Sequence, residues 1–132
     1  MLFYEARSVR PASFTLNSEG RKMQQEPAER ATELFRLMNR NRRNVFKAYR
    51  DFTETIKKGS SIDSKSQSLI MIACSILTQC DMCISLHVQN AASNGASRDE
   101  IIDAALLAVA MGGSPKMMHM KYVYEEVDKL FD

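Results

Sequence analysis

From Pro27 to the C-terminus, apolar residues recur at spacings of three and four, and no stretch alternates in the manner of a strand. This pattern restricts the chain to an all-α fold. Leu34, Leu37 and Met38 lie on one stripe, and Val45, Phe46, Tyr49, Phe52 and Ile56 form a second. The polar run 39–44 separates them into two helices, and Gly59-Ser60-Ser61 stops the second. Asp63 or Ser64 opens the next helix, where Ser64 and Gln67 have the form of a capping box. Leu69 to Ala73, with Cys74, Ile76 and Leu77, make this helix apolar on nearly every face, which predicts an interior position. A further helix is expected over 81–93, ended by Asn94-Gly95. Ser97 and Glu100 form another capping box before the apolar run Ile101 to Met111, which Gly112-Gly113 terminates. Ser114 then caps a last helix with Pro115 in its first position, carrying Met117, Met118, Tyr122, Val123, Val127 and Leu130. The expected architecture is about six helices joined by short loops.

A chain of 132 residues with 45% hydrophobic content fits one domain with a sizeable core and leaves some apolar surface for a partner subunit. The periodic part, 27–132, is read as that single domain. Residues 1–26 lack a clear period and contain Pro11 and Gly20. They are read as an N-terminal extension, either an arm that wraps a neighbouring subunit or a segment foreign to the natural product. Charge is uneven: residues 1–60 hold 13 Lys and Arg against 7 Asp and Glu, and residues 61–132 hold 5 against 9. The basic peak at Arg40, Arg42 and Arg43 has neither a recognition motif nor stacking aromatics beside it, so it reads as a solvated face or subunit contact, not a nucleic-acid site. No segment approaches the ~18 continuous apolar residues of a membrane span. The first twenty residues include Glu5, Arg7, Arg10 and Glu19 and lack an apolar signal core. A cytoplasmic, reducing location is therefore expected by default; three cysteines are too few for a disulfide-dense secreted scaffold, and their odd number argues against full structural pairing.

All three cysteines fall within ten residues, and two of them belong to the pattern Cys80-Asp81-Met82-Cys83-Ile84-Ser85-Leu86-His87. On a helix, positions 80, 83 and 87 share one face, with His87 a single turn beyond Cys83. Cys80 falls at or just before the first turn, where unpaired backbone N–H groups favour an anion. A free thiol titrates near ~8.5, and a helix N-terminus or adjacent base brings it toward neutrality. The cluster therefore offers a nucleophile, a base and a second thiol within disulfide reach, the parts of a two-electron dithiol cycle. A structural zinc site would need a fourth ligand, Cys74 or His119, and three ligands rising about 10 Å along one helix converge poorly on one metal. Covalent c-type haem would need His where Ile84 stands. A pair of buried cysteines with a satisfied core histidine is the remaining alternative. Among the other residues, Cys74 is expected in the core and His119 to pack or approach the site. Asp81 is expected to cap, and Met111, Met117, Met118 and Met120 to fill the core and a subunit interface.

The segment Gln79-Cys80-Asp81-Met82-Cys83-Ile84-Ser85-Leu86-His87, with Ala91-Ala92, Gly95-Ala96-Ser97 and Glu100-Ile101 after it, resembles the AhpD-like alkylhydroperoxidase core of the carboxymuconolactone decarboxylase superfamily. The resemblance runs from about Phe46 to Met118. It implies an all-helical bundle with the C-x2-C at a helix N-terminus, assembling into trimers or hexamers. It further implies that Cys83 attacks a hydroperoxide, that Cys80 is proton donor and resolving thiol, and that His87 relays protons. The reductant would be a lipoylated or thioredoxin-like dithiol protein, with no cofactor and no metal. The lactone-decarboxylating branch typically lacks the cysteine pair, which disfavours that activity. Peroxidase-type members place a Glu twelve residues before the first cysteine, where this chain has Ser68 with Gln67 beside it. Neither side chain is a carboxylate base, so Ser68 is expected to hold a water or hydrogen-bond Cys80, and Gln67, Ser68 and His119 are the candidates for completing the relay.

Overall fold

In the computed structural model, which describes residues 26–132, the chain folds as α1 (Pro27–Asn41), α2 (Arg43–Lys58), α3 (Ser64–Leu77), α4 (Asp81–Ser93), α5 (Arg98–Gly112), a single turn α6 (Ser114–Met117) and α7 (Met120–Phe131). No strand occurs among the described residues, so the all-α expectation holds. The extension predicted over 1–26 lies, apart from Glu26, outside them.

α4 is the centre of the bundle, packed against α1, α3, α5 and α7. Its Ile84 and Val88 are fully buried, as are Ile72 and Ile76 of α3, Ile101 of α5, and Val123 and Val127 of α7. Each such side chain withdrawn from water contributes about 1.5–3 kcal/mol, so this cluster dominates the stability of the domain. Small residues let helices approach: Ala28 and Ala31 of α1 and Ala105 and Ala108 of α5 are all buried. α1 is fastened to the start of α4 by an ion pair between Arg30 and Asp81. α7 is fastened farther along, where Gln89 Nε2 donates to Oε1 of the buried Glu126 at 2.7 Å.

The local signals perform unevenly. Ser97 and Glu100 form the expected capping box on α5, with Glu100 N–H donating to Ser97 Oγ at 3.1 Å and Ser97 N–H to Glu100 Oε2 at 2.8 Å. The box expected from Ser64 and Gln67 is absent. Asp63 caps α3 instead, accepting from Ser66 N–H at 2.9 Å, because a carboxylate one residue earlier outcompetes the serine hydroxyl. The expected last helix is two: Gly113, at φ +76°, caps a single turn, and α7 restarts after His119. Met120 is consequently buried, while Met111, Met117 and Met118 are exposed.

α3 departs most from expectation. Its inward stripe is Ser68, Ile72, Ser75 and Ile76, whereas Ile70, Met71 and Leu77 are exposed and Cys74 is an exposed free thiol. The prediction of an interior helix with Cys74 in the core is thus corrected. Two serines tolerate burial because each hydroxyl bonds back along the helix, Ser68 Oγ to the Ser64 carbonyl at 3.0 Å and Ser75 Oγ to that of Met71 at 2.7 Å.

Candidate active site

The turn between α3 and α4 aims the cysteines. Thr78 ends α3, the N–H of Gln79 donates to the Ile76 carbonyl at 3.1 Å, and the N–H of Cys80 donates to that of Ser75 at 3.2 Å. This pair of bonds is a Schellman motif, which needs a left-handed residue between helix end and exit. Gln79 fills that place at φ +56°, the one non-glycine residue with positive φ among those described. Its side chain is anchored by Lys116 of α6, whose Nζ donates to Gln79 Oε1 at 2.9 Å.

Cys80, at the end of that motif, is also the N-cap of α4. The N–H of Cys83 donates to Cys80 Sγ at 3.2 Å, and Cys80 and Cys83 are joined as a disulfide with Cα atoms 5.2 Å apart. Both are half-buried. A reduced Cys80 would keep this place at the N-terminus of α4, where the N–H groups accommodate the negative charge left when it gives up a proton. Asp81, expected as a cap, is instead the first residue of α4, where Oδ1 accepts from Met82 N–H at 2.8 Å.

His87 lies one turn beyond Cys83 and opens into a polar pocket of about 360 Å³. α4 contributes His87, Asn90 and Asn94; α3 contributes Ser64, Gln67, Ser68 and Met71; α2 contributes Glu54, Lys57 and Lys58. The cysteines are not among its lining residues. They continue the same face of α4 upward, since 83, 87, 90 and 94 are spaced by four, three and four. Burial, and secondarily the Lys57 ammonium, hold the His87 imidazole below its ordinary value. It is therefore neutral and able to accept a proton near pH 7.

Ser68 faces this pocket but makes no hydrogen bond to Cys80. Asn94 Nδ2 donates to Ser68 Oγ at 2.9 Å, and the hydroxyl proton goes to the Ser64 carbonyl. α3 and α4 run antiparallel, so Ser68 meets the far end of α4 while Cys80 meets the end of α3. Gln67 ties α2 to α3 through Nε2, which donates to the carbonyls of Lys57 at 3.1 Å and Ile62 at 2.7 Å. His119 stands apart from the pocket lining, its Nδ1 3.2 Å from the Pro115 carbonyl oxygen and its ring beside Tyr122. Among the described residues, no three His, Cys, Asp or Glu side chains gather as a metal site. Sequence reasoning missed Asn90 and Asn94, although their spacing from His87 puts them on the cysteine face. Lys57 and Lys58 had no such signal, because only the α2–α3 connection brings them there.

Residues 43–126, more than half the chain, match the model of the carboxymuconolactone decarboxylase family. The chain belongs to that family. A Paracoccus denitrificans relative, an uncharacterized protein of the cox locus, is 25% identical over 83 residues, which is 63% of this chain and 75% of the relative. Among solved structures, an apo family protein of Legionella pneumophila shares the fold with TM-score 0.74 and 23% identity, covering 80% of this chain and 95% of its own. A Thermotoga maritima member, for which a part in the antioxidative response has been suggested, superposes with TM-score 0.67 at 25% identity, covering 80% and 90%.

Proposed function

We propose that this carboxymuconolactone decarboxylase family member is a thiol peroxidase of the AhpD-like type, cycling Cys80 and Cys83 between dithiol and disulfide. The observation that carries the reading is the Cys80–Cys83 bond at the N-terminus of α4, with a neutral, half-buried His87 one turn farther along. His87 takes the Cys83 proton. The Cys83 thiolate attacks the O–O bond, becoming a sulfenic acid and releasing an alkoxide, which takes the Cys80 proton and leaves as alcohol. The Cys80 thiolate then attacks the sulfenic sulfur, and the departing hydroxide takes the proton from His87 and leaves as water. An external dithiol, from a lipoylated or thioredoxin-like protein, reduces the disulfide and is itself oxidised. The suggested antioxidative part of the Thermotoga relative supports this assignment.

The working form is proposed to be a homo-oligomer, trimer or hexamer, in the cytoplasm. Val45, Tyr49, Phe52 and Ile56 support it: they form one exposed stripe along α2. Among the described residues no helix is long and apolar enough to cross a membrane. Stopped-flow consumption of cumene hydroperoxide with excess dithiol tests the activity. Wild type should turn over, and Cys83→Ser should lose at least ~100-fold, since the nucleophile is gone. Equal rates would sink the enzymatic reading.

The engagement of Ser68 with Asn94 favours a second reading, an oligomeric redox sensor or binding module that uses the same disulfide without efficient turnover. Sedimentation of the oxidised and reduced protein distinguishes it: a sensor changes assembly with redox state, and a peroxidase does not require it.

A further inference from the structure

The pocket beside His87 has more positive charge than proton relay requires. Lys57 and Lys58 both line it, against the single carboxylate of Glu54. Among the described residues neither lysine nor Glu54 forms an ion pair, although seven other basic side chains do. Two lysines without an ion-pair partner among the described residues, on the lining of a concave polar site that also includes Asn90, suit a bound anion. The pocket's lining runs along α4 directly below the redox pair. Cys83 and Asn90 are seven residues apart, which at 1.5 Å per residue is roughly 10 Å.

Taking Cys83 as the attacking thiol, as proposed above, we infer that the substrate is an elongated organic hydroperoxide with an anionic end. Its terminal carboxylate sits against Lys57 and Lys58, and its peroxide group, about 10 Å away along α4, meets Cys83. The anion is a carboxylate such as an oxidised fatty acid carries; a phosphate end would use the same lysines, and the test separates the two. Met71 is the apolar residue of the lining and suits contact with the connecting chain.

The experiment compares one hydroperoxide in two forms, a medium-chain hydroperoxy acid and its methyl ester, with the full chain and excess dithiol at low salt. The two share the reacting bond and differ in charge. The acid should be preferred by ~10-fold in kcat/KM, an advantage that shrinks as salt is added. In the Lys57→Met/Lys58→Met protein the acid-to-ester ratio should fall toward one, and in the control Lys47→Met it should stay. Equal turnover of acid and ester by wild type overturns the inference, and so does a double variant that keeps the ratio.

A binding arm keeps this separate from the peroxidase reading. Titrating octanoate, and separately octyl phosphate, while following the His87 imidazole protons by NMR reads the pocket whether or not any peroxide is consumed. A saturable octanoate shift that the double variant loses supports the anion site even if turnover is absent, in which case the proposed function alone fails. Response to octyl phosphate with octanoate silent overturns the carboxylate assignment, and silence to both overturns the site.

Discussion

α4 and α2 are neighbours of the same pocket, yet the fold treats them in opposite ways. α4 is enclosed by four helices and has no large apolar side chain left in solvent. α2 packs chiefly on α1 through Phe46, whose ring stacks on Phe35 at 5.7 Å, and its remaining apolar stripe is bare. The helix that carries the cysteines and His87 is thus fixed by the interior of one chain. The helix that brings Lys57 and Lys58 is held by α1, by the Gln67 bonds and, on our proposal, by a second copy. On the two proposals above, chemistry is built on the enclosed element, and substrate recognition on the one whose outer face is bare.

The sharpest way to break this contrast is in α4 itself. Ile84→Ala removes a fully buried side chain directly after Cys83 and should cost about 2–5 kcal/mol, read from denaturant unfolding of the oxidised protein. A cost below ~1 kcal/mol would mean that the site can collapse and that α4 is not the anchored centre. On α2 the expectation is reversed. Phe52→Glu should change the stability of the isolated chain by no more than about 0.5 kcal/mol, because the ring is solvent-facing there. The same change should shift sedimentation from oligomer to monomer. Retained assembly would move the subunit contact elsewhere, the outer face of α3 with Ile70, Cys74 and Leu77 being next to try.

A smaller effect tests the turn that feeds α4. Gln79 holds a left-handed conformation that glycine adopts without cost, so Gln79→Gly should stabilise the oxidised protein by about 0.5–1 kcal/mol. The bond from Lys116 is lost in the exchange, but it is exposed and contributes little. Destabilisation in thermal or denaturant unfolding would show that the Lys116 anchor outweighs the strain.

How much of this was legible in the sequence differs along the chain for physical reasons. The Ser97–Glu100 box, Gly95, Gly113 and the break near residue 42 are encoded in a few adjacent residues, and the fold uses them as read. The juxtaposition of Cys80, Cys83 and His87 on one face was equally local, since it follows from helical spacing. α3 was misread because its composition does not distinguish its two sides. Apolar residues face out at Ile70, Cys74 and Leu77, while Ser68 and Ser75 face in and satisfy themselves against the preceding turn. Periodicity identifies a helix but cannot assign a face when both faces are apolar. The lysines of the pocket were invisible for another reason: they lie thirty residues from His87 in sequence and arrive through a tertiary contact.

The smallest expected effect links the two helices directly, through the charge on His87. Its proton affinity is lowered in the folded protein, first by burial and then by Lys57. The unfolded chain, with an imidazole near ~6.5, binds more protons between that value and the folded one. Stability should therefore be complete above about pH 6.5, decline as acid is added, and level off once the folded imidazole is also protonated. His87→Gln should remove that slope, so subtracting its profile from wild type isolates the contribution. Asp63 and Glu100, held below the usual carboxylate range by their capping bonds, lose their contributions as pH falls through that range in both proteins, so the subtraction cancels them. Lys57→Met should raise the His87 titration by NMR only part of the way, because burial by α3 and α4 remains. A complete return to the ordinary imidazole value would make α2, not the core around α4, the principal author of the site's electrostatics.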